Sequence, residues 1–499
     1  MEGAGGDCMV SLAIRQQEIF HPEENIEIQN DELKWCSVSL SEMISMGKRL
    51  EASVYDVDSR NAQMILDNCK YEKKNLISSD GFVSNAHYGG RLKRLYVSSD
   101  NENAIGFIGS SEMLDIKPVP VKFMLNNEKA DSLRVKKDTV LISRSGTIGN
   151  LTIVNDTLSK LLVSEHAIRL ECKEYPGYIY AFLKTNIGQA IIKSKIYGAV
   201  IQQIEPEHLA DIPVPNPPEN IKIRINELVM QSFKLRDESN DLIEQATKQL
   251  IDELKLPPLN ELKIEKYDNN AQIDNFSIKL SEMSGRADAS YHVPVVKAII
   301  NHISQFAAEV TTIGDKRVSK AIILPGRFKR VYVEEGQGRI FFGGKQLYEL
   351  DPSNKKYLSL AHHGERIKKE LEILENTILI TRSGTIGKVM LAPKNWEHWI
   401  ANEHIIRVIP ATEDIAGYLS IFLSTEYGYN LITRYTYGSV VDEIDATHVS
   451  QIAVPILKNV DAQKEINKLA LEANAKRYES YKLEQKALTK INEDVIYSK

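Results

Sequence analysis

The chain has 499 residues, 42% hydrophobic and 26% charged, enough for two cores and a connector. No apolar run reaches membrane-spanning length, and no basic stretch followed by an apolar one opens the chain, so a soluble, cytoplasmic protein with no membrane contact is expected. The formal net charge of −6 argues against a uniformly basic nucleic-acid binder.

Charge is unevenly distributed. Basic residues cluster at Arg91-Lys93-Arg94, Arg134-Lys136-Lys137, Lys316-Arg317 and Arg327-Lys329-Arg330, while acidic ones crowd the start of the chain at Glu23, Glu24, Glu27, Asp31 and Glu32. A dipolar surface is compatible with the total. The four cysteines, Cys8, Cys36, Cys69 and Cys172, form no CxxC pair and read as reduced thiols rather than a disulfide framework or zinc site.

In chain order, residues 1–36 form a polar, acidic arm. Residues 37–216 form a first globular unit in which short apolar runs alternate with turn-rich segments. Leu92–Val97, Ala104–Ile108, Thr139–Ser143, Leu151–Val154 and Ala167–Leu170 are predicted strands, and Tyr178–Lys184 with Gly188–Ile192 a helix pair, giving mixed α and β with a curved sheet. Pro217-Pro218-Glu219 then signals a helix start. Within residues 217–256, Ile221, Leu228, Leu235 and Leu242 recur every seven, with Ile225, Ser232, Ser239 and Ala246 four after each. That spacing predicts a coiled-coil seam with small knobs on a rod of roughly 50 Å. A polar linker at 257–275 leads to a second unit at 276–457. Residues 458–499 are helical again, with apolar Ile466, Leu469, Ala473, Leu483, Ala487, Ile491 and Val495 in a looser period.

The second unit repeats the first. Arg144-Ser145-Gly146-Thr147-Ile148-Gly149 recurs letter for letter as Arg382-Ser383-Gly384-Thr385-Ile386-Gly387, an offset of 382 − 144 = 238. Fifteen residues past each final glycine stands Ser164-Glu165-His166-Ala167-Ile168-Arg169 or Asn402-Glu403-His404-Ile405-Ile406-Arg407. Upstream, Gly90-Arg91-Leu92-Lys93-Arg94 matches Gly326-Arg327-Phe328-Lys329-Arg330, and Leu40-Ser41-Glu42-Met43 matches Leu280-Ser281-Glu282-Met283, with Arg49 opposite Arg286. Downstream, Tyr197-Gly198-Ala199-Val200 matches Tyr437-Gly438-Ser439-Val440. Two copies of one unit of about 180 residues follow, each ahead of a long helix. Two such helices of equal length predict an antiparallel pair, with the globules at opposite ends.

This layout resembles the specificity subunit of Type I restriction-modification systems. The residues that carry the resemblance are the Leu-Ile-Ser-Arg-Ser-Gly-Thr-Ile-Gly stretch of both units, and the exit from the first unit through Ile212-Pro213-Val214-Pro215 and Pro217-Pro218-Glu219 into a helix. The second exit departs from the pattern: Pro455-Ile456-Leu457-Lys458-Asn459 lacks the double proline. The resemblance implies an α+β fold: two similar target-recognition domains, each followed by a long helix, the helices pairing as an antiparallel coiled coil. It implies a non-catalytic chain that reads a bipartite, asymmetric double-stranded DNA target. It further implies docking of DNA methyltransferase subunits, two of them, with a restriction subunit joining. No cofactor is expected in the chain itself, and S-adenosylmethionine is expected in the methyltransferase. A fused nuclease-methyltransferase partner, an enzyme with an unrecognised nuclease site, and a scaffold without DNA contact are the competing readings.

Residues shared by both units cannot read two different half-sites, so they are expected to grip backbone or hold the turn, while divergent ones specify bases. Arg144 and Arg382 contact phosphate or guanine, or else pair with a carboxylate that fixes the turn. Ser145, Thr147, Ser383 and Thr385 offer hydroxyls beside glycines. Arg91, Lys93 and Arg94 with Arg327, Lys329 and Arg330 form a basic stripe that either binds phosphate or is a solvated face. Gln202 and Gln203 stand where Asp442 and Glu443 stand in the other unit; glutamine suits adenine and a carboxylate suits cytosine. Further base-reading candidates are Asn85, His87 and Tyr88, and Lys320, His362, His363 and Arg366. His166 and His404 read as structural histidines. No catalytic or metal residues are assigned. Asn216-Pro217-Pro218-Glu219 lacks the aromatic of the adenine-methyltransferase motif and reads as a helix cap.

Overall fold

The computed structural model describes residues 36–45, 48, 52–198, 202–262, 276–283, 285–353, 355–438 and 440–498. Residues 1–35 of the N-terminal arm, residues 263–275 of the linker, and Arg49, Ala199, Val200 and Ser439 of the repeat lie outside the described residues. The chain divides into two compact units. Unit 1 takes residues up to Leu114, Pro118–Phe233 and Leu483–Lys499; unit 2 takes Asp115–Lys117 and Lys234–Lys482.

Unit 1 is built on a four-stranded antiparallel sheet in the order Val83–Tyr88, Ala167–Cys172, Val140–Ser143, Leu151–Ile153. Unit 2 has the same sheet: Ser319–Ile323, Ile405–Pro410, Ile378–Thr381, Val389–Leu391. The central strand reads as an unbroken apolar run because both its faces are covered. Val140 and Ile142 belong to the core that includes Tyr178 and Phe182 of the helix Pro176–Lys184, whereas Leu141 faces a second core with Ile108 and Val163. Ile378 and Ile380 against Leu379 repeat the division. A second four-stranded sheet, Tyr96–Val97, Lys122–Leu125, Ala104–Ile108, Leu162–Val163, is likewise matched in unit 2 by Tyr332–Val333, Lys356–Ser359, Gly338–Phe342, Ile400–Ala401.

The predicted strand Leu92–Val97 is an overreach. Only Tyr96 and Val97 join a ladder, opposite Met124 and Phe123, and residues 91–95 run without backbone pairing. Side chains still alternate there, Arg91 and Lys93 outward and Leu92 and Arg94 inward, because Arg94 fastens the segment through its guanidinium rather than through a ladder.

The central helix spans Glu219–Leu254 and the terminal helix Val460–Ile491. They run antiparallel. Within unit 2, Glu238 receives Lys476 Nζ at 2.7 Å, Arg236 Nε donates to Ser480 Oγ at 3.1 Å, and Glu253 receives Asn459 Nδ2 at 3.0 Å, one number rising as the other falls. Within unit 1, Ile225, Val229 and Phe233 share a core with Ala487, Ile491 and Val495. Of the two heptad series in the central helix, Ile225, Ser232, Ser239 and Ala246 form the buried seam, while Ile221, Leu228 and Leu242 are only half-buried. The terminal helix, read as loosely periodic, has a strict seam once its polar members are counted: Ile466, Ala470, Ala473, Arg477, Ser480, Glu484, Ala487 and Ile491 are all buried at alternating four- and three-residue steps. Arg477, Ser480 and Glu484 hid that seam from a reading based on apolar residues.

Each globular part is tied to a long helix by the same device. Asn226 Oδ1 accepts the Gly177 amide at 2.9 Å, and Asn467 Oδ1 accepts those of Gly417 and Tyr418 at 2.8 and 3.1 Å. Asn226 thus satisfies a first-turn amide of the helix Pro176–Lys184, a group that otherwise lacks a partner, whereas Asn467 adds an acceptor to amides inside the helix Glu413–Ser424. Unit 1 adds a buried Glu484, which accepts from Tyr180 Oη at 2.5 Å and pairs with Lys184.

Candidate nucleic-acid interface

The repeated hexamer is a strand-to-turn junction whose tip projects outward. Gly146 and Gly149 have φ of +75° and +88°, and Gly384 and Gly387 +71° and +86°, a region that disfavours any residue with a Cβ. Ser143 Oγ closes the turn by donating to Thr147 O and accepting the Asn150 amide at 2.9 Å; Thr381 Oγ1 does the same with Thr385 O and the Lys388 amide. Thr147 and Thr385 are left exposed at the tips, with Ser145 and Ser383 half-buried beside them. Ser145 Oγ meets His166 Nδ1 at 2.7 Å and Ser383 Oγ meets His404 Nδ1 at 2.6 Å, so the repeated histidines hold the turn.

Arg144 is buried and carries the carboxylate pairing. Its guanidinium contacts Glu205, Gln203 Oε1 at 3.0 Å and the Ile204 carbonyl at 3.3 Å, and stacks 4.2 Å from the Tyr88 ring. Arg382 bonds the Ile444 carbonyl at 3.1 Å and pairs with Glu443. Gln203 and Glu443 are equivalent, each bridged to the turn serine and to Tyr197 or Tyr437. Gln203 thus faces Arg144, while Gln202 and Asp442 are exposed.

The two basic stretches divide into half-buried bracing residues and exposed ones. Arg94 donates to both Glu165 oxygens at 2.6 and 2.7 Å and lies over the Phe107 ring; Arg330 donates to Glu403 at 2.6 Å and lies over Phe341. Burial opposes ionisation of Glu165 and Glu403, but backbone amides and the facing arginines outweigh it and hold both carboxyls below the usual range. Arg91, Lys93 and Lys329 are exposed, as is Arg327, which reaches Glu443 at 3.2 Å.

Among the other candidates, Asn85 Nδ2 meets His87 Nδ1 at 3.2 Å, and Lys320 is exposed. Ser359 caps a helix by accepting the His362 amide at 3.4 Å and meets His362 Nδ1 at 3.1 Å; His363 accepts the Val331 amide at 3.2 Å and Arg366 holds the Gly326 carbonyl at 2.7 Å. The last two therefore brace the basic segment of unit 2. Sequence reasoning missed Glu205, Glu165 and Glu403 as arginine partners. The repeated Glu-His dipeptide beside a repeated arginine was the available signal for the last two. Among the described residues no group of three or more His, Cys, Asp or Glu is placed to hold a metal, and no helix is long and apolar enough to cross a membrane.

Residues 107–250 and 341–470, together more than half of the chain, match the model of the Type I restriction modification DNA specificity domain. Among solved structures, the chain is similar to the Type I restriction-modification S subunit from M. genitalium, at 14% identity over 85% of this chain and 96% of that one, with a TM-score of 0.34. It is also similar to the HsdS subunit from Thermoanaerobacter tengcongensis, at 12% identity over 84% and 98%, TM-score 0.26. A chain from a structure describing complex assembly and conformational transition of the type I R-M system matches at 11% identity over 82% and 97%, TM-score 0.27. No curated protein matches.

Proposed function

This chain belongs to the Type I restriction modification DNA specificity domain family, and from that premise we propose that it reads a bipartite, asymmetric double-stranded DNA target, one half through each unit. The family makes it a recognition subunit rather than a catalytic one. The observation that carries the two-part target is that the specificity domain occurs twice in one chain, on the same sheet and turn, with different exposed side chains around them. In this reading Arg91, Lys93, Arg327 and Lys329 hold phosphates, and the Ser145-Thr147 and Ser383-Thr385 tips approach the backbone. Arg94, Arg144, Arg330 and Arg382 keep the frame. The long helices dock two DNA methyltransferase subunits, which bring S-adenosylmethionine, and a restriction subunit joins them. The helix pair determines the gap in the target; a helix of 36 residues is about 54 Å long, more than one duplex turn of about 34–36 Å.

Selection from a randomised duplex library by the full chain, alone and with co-purified methyltransferase subunits, tests this reading. Two short conserved blocks of different sequence, separated by a fixed unconserved gap, are expected. A single block, a palindrome or no enrichment overturns it.

A further inference from the structure

In unit 1 an open cleft of about 280 Å³ lies between the edge strand Val83–Tyr88 and the segment leading into Val140–Ser143. Its floor is Arg169, whose guanidinium donates to the Ser132 and Val163 carbonyls at 2.6 and 3.2 Å. His87, Lys136 and Glu171 line its walls, and Gly90, the residue before exposed Arg91, lies at its rim. Neighbouring charges are paired: Arg134 with Asp131 at 2.9 Å and Lys137 with Asp156 at 2.7 Å. Among the described residues, however, neither the Lys136 ammonium nor the Glu171 carboxylate has a hydrogen-bond or ion-pair partner. Two opposite charges thus share one cleft without spending themselves on each other. Burial first, then Arg169, pushes the His87 pKa down; Glu171 opposes and Lys136 adds to the shift, so both charges lie within electrostatic reach of the imidazole.

The same place in unit 2 keeps the floor and changes the walls. Arg407 is held by the Ile405 and Leu371 carbonyls at 2.9 Å each. His87 pairs with Arg169 across the sheet as Ile323 does with Arg407. Lys136 stands four residues before Val140 and Leu374 four before Ile378; Glu171 and Ile409 each lie two past the floor arginine. At the three wall positions stand Ile323, Leu374 and Ile409, with Leu374 48% exposed, while Arg366 holds the carbonyl of Gly326, the counterpart of Gly90 at the rim. A constant floor arginine, with charged or titratable side chains at three positions around it in one copy and apolar ones at the same positions in the other, is what two different readings on one scaffold require.

We propose that Lys136 and Glu171, flanked by His87, are specificity-determining residues of unit 1 that read the major-groove edge of one G·C pair, Lys136 donating to guanine O6 or N7 and Glu171 accepting from the cytosine N4 amino group. The inference rests on the DNA-reading function proposed above. The apolar walls of unit 2 suit a thymine methyl instead.

The test is library selection with the full chain and its K136L/E171I variant, which installs the unit 2 side chains at two of the three positions and keeps His87. The wild type selects G·C at one position of one half-site, and the variant loses that preference by roughly ten- to hundred-fold while every other position, including the whole second half-site, is retained. An unchanged preference in the variant overturns the inference and leaves the proposed function standing. No selection by the wild type overturns the function and the inference together. Should the double variant lose both halves, the volume-conserving single variants K136M and E171Q give the same readout: loss confined to that position supports the inference, and unchanged preference overturns it.

Discussion

Arg144 takes its carboxylate from Glu205, whereas Arg382 takes its own from Glu443, which occupies the place of Gln203, two residues before Glu205. The same arginine at the same turn is neutralised from two different positions. Glu205 also accepts from Tyr197 Oη at 2.7 Å, which fixes its orientation. Replacing it leaves a buried guanidinium with an amide and a carbonyl. E205Q is expected to destabilise unit 1 by about 2–3 kcal/mol, below the full cost of breaking a buried pair because Glu205 is partly exposed. Adding Q203E, which transplants the solution of unit 2, should recover most of it. Urea unfolding of the single and double variants measures both, and a double variant no better than E205Q contradicts the equivalence.

The asparagine ties between globule and long helix differ in strength. Asn467 serves two amides and Asn226 one. N467A should cost about 1–2 kcal/mol for two lost hydrogen bonds, and N226A about 1 kcal/mol for an orphaned first-turn amide. The glycines at these contacts are required by space: a Cβ at Gly417 would lie 2.4 Å from the Asn467 carbonyl oxygen, and one at Gly177 2.8 Å from that of Asn226. G417A should therefore destabilise by about 3 kcal/mol and G177A by less, read from denaturation midpoints.

Glu484 is fully buried, with Lys184 and Tyr180 as partners. K184M removes a positive partner from a fully buried carboxylate, leaving Tyr180 as a donor to it, and should cost about 3 kcal/mol, whereas K184M/E484L, which removes both charges, should cost less. A double-mutant cycle by chemical denaturation decides it; additive losses would mean that the pair does not act as a unit.

The duplication, the turn and the two rods were legible in the sequence because each is a repeated or periodic pattern. The antiparallel pairing of the helices is present as expected. What escaped is whatever depends on a polar residue in a buried place. The terminal seam was blurred by Arg477, Ser480 and Glu484, which hold knob positions. The stretch Leu92–Val97 looked like a strand because its alternation is real, but a side-chain anchor, Arg94 on Glu165, produces it. Glu205 was invisible because its role exists only where the repeat breaks, at Gln203. Only the three-dimensional contacts, Arg94 on Glu165 and Arg144 on Glu205, separate the bracing arginines from exposed Arg91.

Acid should weaken the anchors of the basic segments. The folded-state pKa values of Glu165 and Glu403 lie below the ordinary 4.5, so the stability they confer is fully present above about pH 4.5 and is lost as pH falls through the depressed folded values. The stability difference between wild type and E165Q/E403Q should be constant at pH 6–8 and shrink in acid. Urea midpoints across pH 3–8 check this; a gap that persists at pH 3 would assign the loss to packing.

The free and bracing cations make opposite predictions in DNA binding. If exposed Arg91 and Lys93 neutralise one phosphate each, R91A and K93A should each lower the slope of log K against log salt by about 1, uniformly across target sequences. Neither should alter the denaturation midpoint beyond about 0.5 kcal/mol, because both side chains face solvent. R94A should instead lower the stability of unit 1 by about 1–2 kcal/mol through the unpaired Glu165, and affect binding through the displaced segment rather than through a lost phosphate. Salt-dependent fluorescence anisotropy on one labelled duplex, set beside urea unfolding, separates the two. A normal salt slope in R91A/K93A would leave the segment a solvated face.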